Sequence, residues 1–406
     1  MRLKLSSVFL LCFGITFSQT DFRYDGKAYK TIYPKDLCQF LNSNAKILLI
    51  DVRSKGEFAD TSYLGNRNMG HLKGAINIPV DDLEKQIPKL KEEHLAEPIV
   101  LYCSHSQRSR RASKLLEENG FTQVRNLNGG MTWMNQANEK EFACKKQMIV
   151  SKTNYKNINV DETFELIKNT KDLVIIDVRN ATEFENKDTL EANNIGRIKK
   201  AINIPESEIK KNPAKLDAYK MKTVLICDNY GKQSNVIATL LVKKGFKKVY
   251  GMLGGLNALV GKDRETLAIR KELLENEPDY DLLNVKETIT FLDKNKDAVI
   301  LDVRPEEEFN NKSQQPWKNL GRIKGAKNIP STNFDSKLNE LGLNKTSNII
   351  LYGGSDAAAC CKKLKALGFE HVSLIYGGLW DMVSAYANID GFQNVKTYLE
   401  NNEGLY

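Results

Sequence analysis

Cysteine is scarce in this chain, with seven residues in 406. Proteins whose fold depends on disulfides have a far higher share, so the sequence excludes a disulfide scaffold. It leaves open whether Cys38 and Cys144 form a bond. Hydrophobic residues make up 41% and charged residues 27% of the chain, which is ordinary for a globular protein. The fold must therefore come from buried apolar residues.

Long apolar runs are also missing after the N-terminus, where none approaches the roughly 18 residues that a membrane helix needs. Residues 8–17 are apolar and follow Arg2 and Lys4, with small or polar residues before Gln19. This pattern predicts a signal peptide over residues 1–18, although a buried N-terminal helix is the alternative. The sequence thus predicts an exported protein, periplasmic or secreted, whose mature chain has no integral membrane segment.

Basic residues are in excess but are not concentrated. The formal charge of +9 falls to +7 once Arg2 and Lys4 are removed, and the lysines are scattered without an aromatic-rich basic block. Nucleic-acid binding usually needs such a concentrated positive surface. We therefore expect no nucleic-acid partner.

Three sequence blocks recur in the same order along the chain. "LLIDVRSKGEF" returns as "VIIDVRNATEF" and "VILDVRPEEEF", which places Asp51, Asp177 and Asp302 at intervals of 126 and 125 residues. "GHLKGAINIP" returns as "GRIKKAINIP" and "GRIKGAKNIP", and "LNGGMTWM" returns as "LGGLNALV" and "IYGGLWDMV". We therefore predict three tandem domains, called the first, second and third units, over residues 28–140, 155–262 and 280–395.

Each unit alternates short apolar runs with helical periodicity, which predicts an α/β fold with a mainly parallel sheet. In the first unit "KILLIDV" and "PIVLYC" are expected to be buried strands. "SRRASKLLEENGF" is expected to be a helix with Ala112, Leu115 and Leu116 facing inward and Gly120 at its end. The joins between units are charged, and the second is expected to form a solvated helix.

Cys103 stands where the strand "PIVLYC" ends and a helix follows. Ligands of parallel sheets bind at this end of the strands. Backbone N–H groups at a helix N-terminus favour a thiolate over a thiol, and His105, Arg108, Arg110 and Arg111 add positive charge. The pattern favours a nucleophilic cysteine over the alternative of a buried cysteine without chemistry.

Together, "DVR…EF", "GH-KGAINIP", the Cys-x-x-x-x-Arg-Ser loop and the "GG" block resemble rhodanese-like sulfurtransferases. The resemblance implies a five-stranded parallel sheet flanked by helices in each of the three units. It implies that a cysteine takes sulfane sulfur from a small anionic donor such as thiosulfate and passes it, as a persulfide, to cyanide or another thiophilic acceptor. Such covalent catalysis requires no metal or organic cofactor.

Carried over to this chain, the resemblance makes Cys103 the nucleophile and Arg108 the residue that closes the loop. The substrate anion would be cradled by the backbone amides of Ser104, His105, Ser106, Gln107, Arg108 and Ser109. The chain departs from the family at Ser106, where glycine is common, so an altered turn is expected. Asp51, Arg53 and Glu57 are expected to brace the fold.

The three loops differ in their nucleophile, length and charge. Taking Cys227 as the counterpart of Cys103, the spans to the glycine that ends the helix are 18 and 17 residues. Cys227 is therefore a second candidate nucleophile of uncertain activity, disfavoured by the adjacent Asp228. The third loop has Gly353 at this position and a span of 15, which predicts an inactive unit. Its Cys360 and Cys361 are expected within the helix.

Two other functions remain as alternatives. Phosphatases and arsenate reductases of this fold have a loop one residue longer, which the second unit matches, but Gln233 replaces their arginine. A largely non-catalytic binding scaffold of three α/β modules would keep the loops as docking pockets. An exported thiolate would also need a reductant or a thiol-redox partner protein.

Overall fold

The computed structural model describes residues 29–44, 46–261, 266–389 and 391–401. The predicted signal peptide lies outside these residues. The described chain forms three parallel five-stranded sheets flanked by helices, which confirms the predicted α/β class and three-fold repeat. Among the described residues, no helix is long and apolar enough to span a membrane.

The first unit has its active-loop strand at the centre of the sheet. In spatial order its strands are Tyr29–Ile32, Val124–Leu127, Ile99–Tyr102, Leu48–Asp51 and Ile76–Asn77. Its helices are Pro34–Ser43, Lys55–Phe58, Leu83–His94, Gln107–Glu118 and Gly130–Gln136, with the 3₁₀ turn Gly65–Arg67.

The second unit repeats this order. Its strands are Ile202–Asn203, Leu173–Asp177, Thr223–Cys227, Lys248–Met252 and Lys156–Ile158. Its helices are Val160–Asn169, Ala181–Phe184, Glu206–Lys211 and Lys232–Lys243, with the 3₁₀ segments Glu191–Asn193, Pro213–Tyr219 and Gly255–Val260.

The third unit completes the repeat. Its strands are Asp281–Leu283, His371–Ile375, Asn348–Tyr352, Val299–Asp302 and Lys327–Asn328. Its helices are Val285–Lys294, Glu306–Phe309, Phe334–Leu338, Asp356–Ala366 and Gly378–Asn388, with the 3₁₀ segments Pro316–Lys318, Ser331–Asn333, Asn339–Leu341 and Gln393–Tyr398.

The buried faces follow the sequence pattern. All four residues of the strand Ile99–Tyr102 are buried, as expected for the centre of a sheet covered on both faces. The helix Gln107–Glu118 directs Ala112 and Leu116 into the core, whereas Leu115 is only partly buried. The predicted strand and helix of the opening motif are thereby confirmed.

The segment that follows each unit returns to it as a short antiparallel strand. Three such pairs form, between His71–Leu72 and Ile149–Val150, Arg197–Ile198 and Leu274–Glu275, and Arg322–Ile323 and Leu399–Glu400. The first join also contains the helix Lys145–Met148, and a disulfide bonds Cys144 to Cys38. The joins are therefore integral to the units that precede them.

The second join forms a helix, Leu267–Leu273, but the expectation of a solvated helix is wrong in part. Arg270 and Leu273 are buried, and Nη2 of Arg270 lies 3.0 Å from Oε2 of Glu287 in the third unit. The amphipathic composition of this helix supports packing that its charge pattern conceals.

Neighbouring units meet through one repeated contact. The helix Lys232–Lys243 of the second unit packs on the 3₁₀ turn Gly65–Arg67 of the first, and Nδ2 of Asn235 donates to the Gly65 carbonyl at 3.1 Å. The helix Asp356–Ala366 of the third unit packs in the same way on Glu191–Asn193. The helix after each loop is therefore the surface by which the second and third units join the unit before them.

Candidate active site

Cys103 follows the strand Ile99–Tyr102 directly, and its side chain is 1% exposed. The Ser109 hydroxyl oxygen lies 3.6 Å from its sulfur and 2.6 Å from Oδ1 of Asn126. The exposed thiolate that the sequence suggests is therefore wrong for this structure. The sulfur instead lies beneath the loop, which protects it from casual oxidation.

The turn at Ser106 is the departure from the family pattern that the sequence identifies. Its φ is +75°, in the left-handed region that glycine occupies most easily. Its hydroxyl donates to Oδ1 of Asn128 at 3.1 Å and accepts the N–H of Gly129 at 2.5 Å. These bonds tie the turn to the "GG" block, so serine here has local support that glycine would lack.

The "GG" block packs directly against the loop. The backbone N–H of Met131 donates to the Cys103 carbonyl at 2.8 Å, and that of Thr132 donates to the Ser104 carbonyl at 3.0 Å. A Cβ on Gly130 would lie 2.2 Å from the Cys103 oxygen. Glycine is therefore required at this position for the two backbones to approach.

Arg108 bridges the two ends of the loop. Its Nη2 donates to Oγ of Ser104 at 3.0 Å, while Nη1 and Nη2 donate to the two carboxylate oxygens of Glu57 at 2.6 and 2.9 Å. Glu57 also caps its own helix through Ser54. Burial alone would raise the pKa of Glu57, but Arg108 and the Ser54 N–H lower it to about 2.

The other cationic side chains of the loop point elsewhere. Nη2 of Arg111 binds the exposed Asp81 at 2.9 Å, and Nη2 of Arg110 donates to Oδ1 of Asn128 at 2.7 Å. Nε2 of His105 lies 3.1 Å from the Thr132 hydroxyl. Of the four groups that the sequence brings near Cys103, Arg108 is the one that spans the loop.

The counterpart of Cys103 in the second unit is Asp228, and the expected equivalence of Cys227 with Cys103 is wrong by one residue. Asp51 pairs with Tyr102 across the first sheet, and Asp177 pairs with Cys227 across the second. Cys227 therefore occupies the place of Tyr102, one residue before the loop. Its side chain is fully buried, and burial raises the pKa of its thiol well above the ordinary value.

The register also removes the apparent extra residue in the second loop. Asp228 and Gly245 are 17 residues apart, as are Cys103 and Gly120. The second loop therefore has the length of the first, and the length argument for phosphatase chemistry is wrong.

The second loop encloses its own carboxylate. Asp228 accepts the backbone N–H groups of Gly231, of Gln233 at 2.5 Å and of Ser234 at 3.3 Å. The corresponding donors around Cys103 are Ser106, Arg108 and Ser109, at a constant offset of 125 residues. A loop of this kind therefore presents converging N–H groups to an anion at the cysteine position.

The third loop has neither nucleophile nor cavity for one. A Cβ on Gly353 would lie 2.6 Å from Cγ2 of Val303, so a cysteine would require its neighbours to move. Cys360 and Cys361 are buried in the helix Asp356–Ala366, and burial raises the pKa of Cys360 to about 12. Both are core residues, in line with the sequence-based expectation for this helix.

A buried ion pair supports each loop from the neighbouring strand. Arg53 donates to both carboxylate oxygens of Asp51 and to the Gly70 carbonyl, with neither side chain exposed. The same pair recurs as Asp177 with Arg179 and Asp302 with Arg304. These residues brace the fold as expected, but Glu57 has a second task that the sequence reasoning missed, because its contact with Arg108 joins residues 51 positions apart.

Arg108→Gln is expected to reduce sulfur transfer roughly 10²-fold, because it removes the cation that spans the loop. It should also raise the pKa of Glu57, as burial raises that of its counterpart Glu183, which has Gln233 nearby instead of arginine. With its low pKa, Glu57 stabilises the native state above about pH 4.5, and this contribution is lost as the pH falls toward about 2.

Urea unfolding as a function of pH tests this prediction. The deficit of the variant should be about 3 kcal/mol at neutral pH and should shrink as the pH falls below about 4.5. Arg111→Gln is the matched control, because its exposed ion pair should contribute less than about 1 kcal/mol. A pH-independent deficit would contradict the assigned role of the Arg108–Glu57 pair.

The model of the rhodanese-like domain family matches the chain three times, over residues 34–137, 160–262 and 285–385. One similar protein is the uncharacterized protein YqhL of Bacillus subtilis, which is 35% identical over 107 residues covering 26% of this chain and 73% of YqhL. A tRNA uridine(34) hydroxylase of Salmonella arizonae is 32% identical over 98 residues, and the match spans 28% of that enzyme. Among solved structures, a thiosulfate sulfurtransferase from Pseudomonas aeruginosa aligns over 85% of this chain and 66% of its own, with 16% identity and a TM-score of 0.23.

Proposed function

Because the chain belongs to the rhodanese-like domain family, we propose that it is a sulfurtransferase that carries sulfane sulfur as a persulfide on Cys103. The observation that supports this most strongly is the contrast between equivalent positions of the three loops. They hold a cysteine, an aspartate already bound by its own loop, and a glycine, at Cys103, Asp228 and Gly353. The first loop alone among them combines a sulfur atom with a bridging arginine.

The proposed reaction has two displacement steps. The Cys103 thiolate attacks the outer sulfur of thiosulfate, the sulfur–sulfur bond of the donor breaks, and sulfite leaves with the electron pair. Cyanide or another thiophile then attacks the terminal sulfur of the persulfide, giving thiocyanate with cyanide and regenerating the thiolate. The loop N–H groups stabilise negative charge on the cysteine sulfur, and Arg108 attracts the anionic donor.

An assay with three readouts distinguishes this function from the alternatives. The purified chain should form thiocyanate from thiosulfate and cyanide, and it should not hydrolyse aryl phosphates. Aryl phosphate hydrolysis without thiocyanate formation would support the phosphatase alternative. Absence of both activities, despite a folded protein, would support a non-catalytic scaffold.

Conversion of the second loop tests the role of the residues that the first loop contains. In a Cys103→Ser background, Asp228→Cys with Gln233→Arg should restore measurable thiocyanate formation, because Glu183 is already in place to bind the new arginine. Asp228→Ser with Gln233→Arg is the matched control and should stay inactive. If the converted loop is correctly folded yet unreactive, the cysteine and arginine are insufficient and the proposed division of roles fails.

We also propose that the protein is exported and acts with a thiol-redox partner or another reductant. The N-terminal pattern of residues 1–18 and the disulfide between Cys38 and Cys144 support an oxidising compartment. The near-complete burial of Cys103 would limit its oxidation there. Fractionation of cells producing the full chain should place the protein outside the cytoplasm with residues 1–18 removed, and a cytoplasmic, uncleaved chain would contradict this.

A further inference from the structure

A cavity of about 360 Å³ lies between the second and third units, beside the loop that lacks a cysteine. Its walls include Gly353, Gly354 and Ser355 of that loop and Tyr230 of the preceding unit's loop. The space around Gly354 is open, with no atom within 4 Å of where a Cβ would lie. The volume is in the range of pockets that bind small molecules.

Three tyrosines line this cavity: Tyr230, Tyr280 and Tyr376. The remaining wall is largely apolar and includes Leu282 and Leu374. Tyr280 is 5% exposed, and its hydroxyl has no hydrogen-bond partner in the described part of the chain. Buried hydroxyl groups are normally bonded, so this one is available to a ligand.

The charges around the cavity are mainly negative. Glu191 lines the wall, and burial followed by nearby groups that include Glu191 and Asp279 raises the pKa of Tyr280. Burial also raises the pKa of Tyr376, with a further contribution from Asp381.

The nearby cations are already engaged. Nζ of Lys362 binds Oε2 of Glu191 at 2.7 Å on the outside of the helix, and Arg270, which also acts on Tyr376, is paired with Glu287 at 3.0 Å. In contrast to the first loop, the third has no arginine between Gly353 and the end of its helix at Ala366. An anionic ligand would therefore be repelled.

We propose that this cavity binds a small organic cation of the quaternary or alkylated ammonium class. Aromatic rings attract such cations through their π faces, and the alkyl groups fit an apolar wall. The neighbouring carboxylates supply the compensating charge, and the Tyr280 hydroxyl is available to bond a polar group on the same ligand. This site is separate from Cys103 and does not depend on the proposed sulfur transfer.

Three probes of nearly equal shape test the proposal on the full chain by titration calorimetry. They are choline, neutral 3,3-dimethyl-1-butanol and anionic 3,3-dimethylbutyrate. Choline should bind at least about tenfold more tightly than the alcohol, and the carboxylate should bind most weakly. Equal or tighter binding of the alcohol would show an apolar cavity without cation selectivity, and preferential binding of the carboxylate would show an anion site. Either result, or absence of choline binding, would overturn the proposal.

Variants locate the binding site. Tyr280→Leu should weaken choline binding about tenfold, whereas Tyr280→Phe keeps the ring and should weaken it less. Tyr63→Leu is the control, because Tyr63 is 90% exposed in the first unit. Circular dichroism checks that each variant is folded. Choline binding that is unchanged in folded Tyr280→Leu would place the cation elsewhere, and binding should persist in Cys103→Ser, whatever the outcome for sulfur transfer.

Discussion

Replacing Cys103 with serine is expected to abolish the formation of thiocyanate from thiosulfate and cyanide. A serine hydroxyl cannot store sulfane sulfur, and no other cysteine occupies an equivalent position in the described sheets. Removing a covalent nucleophile commonly reduces catalysis by several orders of magnitude. Initial rates at saturating thiosulfate should therefore fall to the uncatalysed level.

Cys227→Ala is the matched control for this substitution. Cys227 is buried at the end of a strand, at the position of Tyr102, and its Sγ lies 3.7 Å from the Ile176 carbonyl. Alanine should cost some packing energy but leave kcat/KM within about twofold. Loss of activity in folded Cys227→Ala, or retention of activity in Cys103→Ser, would reverse the assignment of the nucleophile.

Asp51→Asn is expected to destabilise the first unit by about 3–5 kcal/mol. The substitution leaves the Arg53 guanidinium buried without its counter-ion, at a site where neither side chain is exposed. Hydrogen exchange should report the effect locally, with protection of the strands Leu48–Asp51 and Ile99–Tyr102 falling about 10²–10³-fold. The equivalent strands of the third unit should keep their protection.

Two further variants identify the physical cause of that effect. Asp81→Asn removes an exposed carboxylate that pairs with Arg111 and should cost less than about 1 kcal/mol. Asp51→Leu with Arg53→Met removes both buried charges and should recover much of the stability, because the cost lies in the unpaired charge. A small effect of Asp51→Asn would mean that water or another group compensates Arg53.

The repeats in the sequence sufficed to predict the fold, because each unit has the same apolar strands and the same glycine turns. The strand Ile99–Tyr102 and the helix Gln107–Glu118 are where the opening motif places them. Their burial follows from local composition, which a single sequence displays directly.

The register of the loops could not be obtained in the same way. Cys227 and Cys103 both end an apolar run, and aligning the two cysteines is the natural choice from the letters alone. The sheet pairing of Asp177 with Cys227 shows instead that Asp228 takes the cysteine position. Counting back from Gly245 by the 17 residues of the first loop would have given the same result.

Contacts between distant residues were the other part that sequence patterns could not provide. Glu57 and Arg108 belong to different elements, and each has an ordinary local explanation as a helix cap or a loop cation. Their bidentate pair exists because the sheet brings the ends of two strands together. The cavity between the second and third units similarly depends on how the units pack.

Mass spectrometry of the intact protein after brief exposure to thiosulfate tests the central claim most directly. We predict the addition of one sulfur atom, located by peptide mapping to Cys103, absent in Cys103→Ser and removed by cyanide. An adduct on Cys227, Cys360 or Cys361 in place of Cys103, or no adduct on a folded and reduced protein, would contradict a persulfide mechanism at the first loop.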